Sequence, residues 1–406
     1  MNLEKNEDKK EKYCYEEDNM KTISLPVSFG EAVDKLTILE IKSSFINDGL
    51  DFINSEINAI STQLKNSLYD ENLTSIFFYK NCLKIINLEI WNCQDEFRDL
   101  QDLSRKTILC EKIIELNDAR FRVKKKIDSI SDSRFREQKS YAKRKAFILG
   151  HLGMGDQISC SPIVRYLSCF YDEVKVVVKA VNYEAIKLFY RDDPTITFEC
   201  VNTDQDISPA FGCSSEKFDK QTYGYSIFRL GLHSIDKEIK IENIPFNFYD
   251  ELNIDCSKLF DFFYCEPSID ISQKMELLKD REYVLIHSKF SGGTLFTPKD
   301  LFENFKIDLD KTLVIDINEN YYPSHHPFRE LAEKFINLPI SDYEILLKNA
   351  SNIFLSDSAL FCLTLPIRLK SPTVFYRSRM KFDYSYVNEY RKRYLGNEDS
   401  SLFIPF

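Results

Sequence analysis

One segment combines a glycine-rich turn with an acid at the place where a helix should start. Residues 147–167 read FILGHLGMGDQISCSPIVRYL: an apolar strand, a turn with Gly150, His151, Gly153 and Gly155, then Asp156 and a helix expected to open near Gln157. Open α/β sheets bind ligands at the carboxyl ends of strands, where helix N-termini favour anionic or polar groups. The segment therefore predicts a ligand-binding turn with Asp156 as a general base. A structural interpretation, with turn glycines and Asp156 as the N-cap, explains the same residues.

The spacing of these glycines excludes two common nucleotide-binding motifs. The order G-H-L-G-M-G-D is not the dinucleotide fingerprint G-x-G-x-x-G, and no Walker Lys-Ser/Thr follows it. A nicotinamide oxidoreductase on a doubly wound sheet therefore lacks its signature. A P-loop kinase is not supported either.

Two further loops follow apolar strands and carry polar residues. The first, within residues 285–296, offers His287, Ser288, Lys289, Ser291, Gly292 and Gly293. The second offers Asp357 and Ser358, where a strand ends and a helix begins. Each loop alone is equally well explained as an ordinary strand-to-helix connection, but three such loops at strand ends favour one shared binding crevice.

Metal-binding patterns are missing from the sequence. His325 and His326 have no Cys or carboxylate at zinc-ligand spacing. The acids Asp308 and Asp310 precede a strand and read as a solvated turn. We expect no metal site.

The composition is that of a globular chain without an obvious leader. The sequence has 406 residues, a net charge of −10 and 11 cysteines without a CxxC pair, and this length predicts two or three domains. The acidic balance argues against nucleic-acid binding. Reduced cysteines, a charged N-terminus and the lack of a long apolar run predict a cytoplasmic location.

The first third of the chain is predicted to be helical. Residues 1–22 are expected to be a disordered tail, and residues 23–140 a separable α-helical hairpin or bundle whose first helix starts at Phe29 behind a Ser28/Glu31 capping box. Residues 105–145 carry 14 Lys or Arg against 6 Asp or Glu. This excess predicts either peripheral attraction to an anionic membrane or glycan, or a basic helix face beside acidic neighbours.

From Lys145 the pattern changes to alternating strands and helices, which is typical of parallel sheets covered by helices. We expect one α/β domain over 146–270, with 204–265 irregular, and a second over 271–390. Residues 391–406 are expected to be a C-terminal tail.

The run G-x-G-D with Pro162 six residues after the acid resembles the opening of glycosyltransferase family nine, the ADP-heptose:lipopolysaccharide heptosyltransferases. Residues 341–376 resemble that family's donor-binding end, although Ala359 replaces a glycine, and Phe361 with Cys362 stands where its histidine is expected. The resemblance covers about 146–380. It implies a GT-B-like pair of Rossmann-type domains, and Asp156 as catalytic base.

The same resemblance implies an inverting, metal-independent transferase without a cofactor, acting on a nucleotide diphosphate sugar and a glycan or glycolipid acceptor. Gly150, His151, Gly153 and Gly155 would form the acceptor loop. The residues of the other two loops would bind the donor, with Lys289 neutralising the leaving phosphate. The alternative is a non-catalytic glycan-binding scaffold that retains the fold, which the replacements at Ala359 and Phe361 motivate.

The helical region has a resemblance of its own. VSFGEAVDKLTILEIKSSFI and two later stretches resemble a bacterial family of unknown function found with surface-polysaccharide genes, over about 22–140. Its charged residues predict either a site or i,i+4 surface pairs along the helix; they are Glu31, Asp34, Lys35, Glu40 and Lys42.

Overall fold

The computed structural model describes residues 25–67, 73–140, 142–203, 206, 224–230, 246–290, 293–378, 385–396 and 401–406. The predicted tail 1–22 and much of the irregular stretch 204–265 lie outside the described residues. Within the described part, no helix is both long and apolar enough to cross a bilayer.

Four helices open the described chain, in the region where the sequence predicts a helical hairpin or bundle. They are α1 (Phe29–Phe45), α2 (Leu50–Ser67), α3 (Leu73–Asp99) and α4 (Leu103–Ile130). The predicted start of α1 is confirmed: the Ser28 hydroxyl accepts a hydrogen bond of 3.1 Å from the Glu31 N–H. This bond satisfies one of the N–H groups that a helix start leaves without an intrahelical partner.

The first sheet is parallel and has the order β3-β2-β1-β4. Its strands are β1 (Lys145–Gly150), β2 (Glu173–Lys179), β3 (Ile196–Val201) and β4 (Ser226–Leu230). Helix α5 (Met154–Phe170) connects β1 to β2, and the short α6 (Tyr183–Ile186) lies between β2 and β3. Strand β4 lies within residues 204–265, which the sequence predicts to be irregular.

Three short helices follow β4 and lead to the second unit. They are α7 (Asn247–Glu251), α8 (Lys258–Asp261) and α9 (Ile269–Met275).

The second sheet is also parallel, with the order β11-β10-β9-β5-β8. Its strands are β5 (Tyr283–His287), β8 (Leu313–Asp316), β9 (Asn352–Ser356), β10 (Thr373–Arg377) and β11 (Leu402–Pro405); β6 (Lys289–Phe290) and β7 (Gly293–Thr294) form a separate two-stranded hairpin. Its helices are α10 (Pro298–Phe305), α11 (Arg329–Glu333), α12 (Tyr343–Asn349), α13 (Ala359–Thr364) and α14 (Ser385–Leu395). Two parallel sheets behind a helical region confirm the predicted fold class.

The end of the chain is built into the second unit and reaches the first. Strand β11 pairs with β10, although the sequence analysis assigned these residues to a tail. Helix α14 packs back on the first unit, where Tyr390 stacks on Phe246 at 3.9 Å and Tyr394 on Phe260 at 5.7 Å between ring centroids.

The helical region shares a core with the first α/β unit. Buried side chains of α3 and α4 form one cluster with Cys169 of α5 and with Phe262. Arg165 of α5, 1 % exposed, pairs with Asp192 at 2.6 Å and lies over the ring of Phe78 at 5.2 Å. Buried Lys126 of α4 pairs with Asp193 at 2.5 Å. The helices therefore complete the core of this unit.

The charged residues of α1 are paired between helices, so the expected i,i+4 pattern is wrong. Asp34 is buried and accepts from Arg120 Nε at 2.8 Å and from Asn87 at 2.9 Å. Glu40 pairs with two lysines of α3, Lys80 at 2.5 Å and Lys84 at 3.0 Å. These contacts hold α1 against α3 and α4.

Most of the positively charged side chains in residues 105–145 also pair with nearby acids. This agrees with the prediction of a basic helix face beside acidic neighbours. Nine of the cations form ion pairs, each within 3.6 Å of an acid. Six of the nine pair with acids of the same stretch, of α1 or of α3. The other three pair with acids of the first α/β unit. Membrane association through this segment stays a prediction.

Lys126→Met should destabilise the protein by about 3–5 kcal/mol, because it leaves a buried carboxylate without its cation. Burial alone would raise the pKa of Asp193, but Lys126 and the Thr195 hydroxyl reverse this and hold the pKa below its usual value. The stability from this pair is therefore present above about pH 4 and is lost as the pH falls further. Urea unfolding at neutral pH measures the loss.

The matched control is Lys299→Met, which removes an exposed lysine from a helix surface and should change the free energy of unfolding by less than about 0.5 kcal/mol. Equal losses in the two variants would contradict the assignment.

Candidate active site

The carboxyl ends of the two sheets face each other across one cleft of about 960 Å³. The cleft is lined from the first unit by the turn after β1 and the end of β2, and from the second by residues after β5, β8 and β9. Seven of the predicted site residues line it: Gly153, Gly155, Asp156, His287, Lys289, Asp357 and Ser358.

Asp156 lies in the first turn of α5, which begins at Met154 rather than near Gln157. Gly153 is the N-cap, so the interpretation of Asp156 as the N-cap is wrong; it is the third helical residue. Its carboxylate folds back over the cap, since a Cβ atom placed on Gly153 would lie 2.6 Å from Asp156 Oδ2. A side chain at residue 153 would therefore displace the acid.

Two side-chain contacts hold the turn and the helix that position Asp156. The Gln157 amide donates to the carbonyls of His151 at 2.8 Å and Val177 at 3.3 Å, which ties the turn to β2. Pro162 cannot donate to the carbonyl of Ile158 one turn earlier. The Ser161 hydroxyl donates to that carbonyl at 2.8 Å instead, so the helix continues through the proline.

The two earlier residues of the predicted acceptor loop do not line the cleft. Gly150 ends β1 against Leu230, 3.5 Å from where a Cβ would stand. The ring of His151 lies against Phe248, with 6.0 Å between centroids. Both pack against neighbouring elements, and their role in an acceptor loop stays a prediction.

His287 and Ser358 bring two of the second-unit loops together. The Ser358 Oγ lies 3.0 Å from His287 Nδ1. Burial, with a smaller effect of Lys289, lowers the pKa of His287 to about 4, so the ring is neutral at pH 7. Ser358 is the N-cap of α13, but its hydroxyl makes no capping bond to that helix. Its partner is the imidazole.

Lys289 and Asp357 are the charged groups that the second unit contributes. Lys289 is half exposed, with its Nζ 3.9 Å from Glu319 Oε1. Asp357 accepts a hydrogen bond of 2.8 Å from the Ser378 hydroxyl, which orients its carboxylate.

Four other residues are predicted for the donor loop, and the two that the structure describes, Ser288 and Gly293, are not in the cleft lining. Ser288 is buried, and its carbonyl accepts from the Leu295 N–H at 3.0 Å. Gly293 pairs with Phe290 in the hairpin. Ser291 and Gly292 lie outside the described residues.

The sequence analysis missed several polar residues of the cleft. They are Lys179 at the end of β2, Asn182, Asn318 after β8, and Asn337. Asn182 donates to the Leu152 carbonyl at 3.0 Å, and the backbone N–H of Asn318 donates to Asp316 at 2.7 Å. Lys179 and Asn318 carried a signal, because Lys179 ends β2 and Asn318 follows β8, and the predicted residues also lie at strand ends.

The two units touch where α5 starts beside α13. A Cβ on Gly155 would lie 2.9 Å from Cys362 Sγ and 3.6 Å from Ala359 Cα, so only glycine fits there without a shift. Burial, and then the nearby Asp156 carboxylate, raise the pKa of Cys362 to about 12. Phe361 is buried against Tyr376, so Cys362 is the residue of this pair that faces the cleft.

Gly155→Ala should destabilise the protein by about 1–3 kcal/mol, because the new methyl group overlaps the thiol of Cys362. Adding Cys362→Ala removes the overlap and should recover most of the loss. Urea unfolding of both variants and of Cys362→Ala alone measures this. A loss that the second substitution does not reduce would contradict the contact.

Metal ligands are not gathered anywhere in the part of the chain that the structure describes: no three His, Cys, Asp or Glu side chains are placed to hold an ion together.

No family model and no curated protein matches this chain. Among solved structures it is similar to the iron-containing dodecameric heptosyltransferase TibC in complex with ADP-D-β-D-heptose, at 16 % identity, TM-score 0.35 and 61 % coverage of each chain. A second TibC structure, from enterotoxigenic E. coli, gives 18 % identity with the same TM-score and coverage. The chain spans about three fifths of the TibC chains.

A glycosyl transferase family 9 structure from Veillonella parvula is similar at 9 % identity and TM-score 0.37, over 66 % of this chain and 89 % of that one. These are the kinds of protein to which the sequence bears its resemblance.

Proposed function

We propose that this protein is an inverting glycosyltransferase that moves a sugar from a nucleotide diphosphate sugar to a hydroxyl of a glycan or glycolipid acceptor. The observation that carries the proposal is the meeting, in one cleft, of a carboxylate from the first sheet with a lysine from the second. Asp156 and Lys289 both line the space of about 960 Å³, which is ample for a ligand of nucleotide-sugar size.

The proposed reaction is a single in-line displacement. Asp156 accepts the proton of the acceptor hydroxyl as its oxygen forms a bond to the anomeric carbon. The bond from that carbon to the diphosphate oxygen breaks, and the electron pair leaves with the nucleoside diphosphate. One displacement inverts the anomeric configuration.

The leaving diphosphate gains negative charge as the bond breaks. Lys289 supplies a positive charge from the second unit, and this interaction is stronger in the transition state than in the ground state. The neutral imidazole of His287 and the hydroxyl of Ser358 offer hydrogen bonds to sugar or phosphate oxygens. We propose that neither a metal ion nor a cofactor takes part.

The rival proposal is a glycan-binding scaffold without catalysis. It is favoured by Cys362, a thiol facing the cleft near the place where the resembling family has a histidine. Incubation with a panel of nucleotide diphosphate sugars and glycan acceptors, with release of nucleoside diphosphate as readout, separates the two. Transfer from any donor supports the enzyme, and thermal stabilisation by glycans but by no nucleotide sugar supports the scaffold.

Lys289→Ala should weaken binding of a nucleoside diphosphate by about 1–3 kcal/mol and leave nucleoside binding nearly unchanged, because the lysine contacts phosphate. Ser358→Ala should cost less. Calorimetric titration of the nucleoside, its diphosphate and the sugar donor measures the difference. Lys299→Ala, at an exposed lysine outside the cleft, is the control; equal losses for nucleoside and diphosphate in Lys289→Ala would place the phosphates elsewhere.

A further inference from the structure

A second cavity, of about 400 Å³, lies at the opposite edge of the first sheet from Asp156. It is bounded by the C-terminal half of α4, by the starts of β1 and β2 and by the residues just before β3. Strand β1 separates the two places: Lys145 at its start lines this amino-edge pocket, and the turn after its end lines the cleft. Six extended residues put them roughly 20 Å apart.

The amino-edge pocket is positively charged in an acidic protein. Five cations line it, against three acids: Arg122, Lys125, Lys126, Lys143 and Lys145. The cleft, by comparison, is lined by two lysines and two aspartates. In a chain with a net charge of −10, this local excess must attract anions.

The acids of the pocket are already engaged with cations. Asp172 pairs with Arg122 at 3.1 Å, and Glu173 with Lys145 at 3.0 Å. Asp192 is held by Arg165 at 2.6 Å, behind the pocket wall. These pairs leave the pocket acids little capacity to neutralise further positive charge.

Two lysines supply the excess. Lys125 and Lys143 are exposed, line the pocket from α4 and from the residues before β1, and form no ion pair with any residue that the structure describes. The charge of Lys125 acts on Asp172, but that acid is already paired with Arg122. Two ammonium groups outside any ion pair match a dianion. Pro194 and Ile130 add an apolar wall suited to the carbon part of a small ligand.

We propose that the amino-edge pocket binds a phosphomonoester, with Lys125 and Lys143 as its charge partners. The ligand is either a free phosphate ester or the headgroup of an anionic lipid, since both present the same dianion. This site does not depend on the proposed transferase activity, because no residue of the pocket lines the cleft.

The test compares wild type with K125Q/K143Q and with the matched control K279Q/K299Q, which removes two exposed lysines elsewhere. Titration with glycerol 3-phosphate tests the free ester. Sedimentation with phosphatidylcholine vesicles, with and without phosphatidic acid, tests the lipid.

The K125Q/K143Q variant should bind at least about tenfold more weakly, whereas K279Q/K299Q stays within about twofold of wild type. Glycerol 3-phosphate binding without vesicle binding identifies a soluble ester, and vesicle binding that needs phosphatidic acid identifies the lipid. Absence of both, or an equal loss in K279Q/K299Q, overturns the proposal. Unfolding curves for K125Q/K143Q that match wild type show that a loss is not one of folding.

Discussion

Asp156→Asn should lower turnover on the order of 100-fold or more and leave donor binding nearly unchanged, because the amide keeps the shape of the side chain but cannot accept a proton. The substitution is mild for the fold, since residue 156 is the third residue of α5 and Gly153, not Asp156, is the cap. Initial rates with a nucleotide diphosphate sugar and calorimetric donor titration measure the two effects.

The second unit offers a matched control. Asp300 is the third residue of α10 behind its cap Thr297, as Asp156 is in α5, but it is exposed and outside the cleft. Asp300→Asn reproduces the loss of a negative charge in a first helical turn and should leave turnover as in wild type. If Asp156→Asn stays within a few-fold of wild type, the general base is another group.

A fragment that starts at residue 142, without the helical region, should fail to fold. The sequence alone favours a separable helical unit, but the shared core reverses that expectation. Removing α3 and α4 uncovers Phe262 and Cys169, and the burial of each side chain stabilises the fold by at most about 3 kcal/mol. It also leaves Asp193 without Lys126. The lost pair alone costs about 3–5 kcal/mol, against a total stability of about 5–15 kcal/mol.

Near-ultraviolet circular dichroism and thermal melting of the fragment measure its folding, and co-expression with residues 25–140 is the control. The two pieces together should restore a cooperative transition. A fragment that melts cooperatively by itself, near the temperature of the full chain, would show that the first α/β unit is complete without the helices.

The sequence predicted those elements whose signals are local. The Ser28 cap, the four long helices and the apolar strands that end at Gly150, His287 and Ser356 all have periodic patterns or caps within a few residues, and the structure has them in place. Strand β4 had no such signal. Four of its five residues are exposed or partly buried, Arg229 among them, and the segment becomes a strand only by pairing with β1.

The sequence predicts the place of the candidate site only through the predicted ends of the strands. Asp156, His287 and Ser358 follow strands, so their meeting at one sheet edge can be inferred from the chain order. The side-chain directions cannot: His151 turns to Phe248, and Cys362 faces the cleft whereas Phe361 is buried. These directions depend on the close approach of α5 and α13, which no spacing in the sequence specifies.

That close approach also restricts how the two halves of the molecule can move. At Gly155 the backbone of α5 leaves no free space beside Cys362 even for one Cβ atom, which would lie 2.9 Å from the thiol. We expect the two halves to separate by rotation about this contact rather than by sliding along it, because sliding would press side chains of α13 against α5. Asp156 lies beside the contact and would then move least, so a donor and an acceptor could enter and leave while the proton acceptor stays in place.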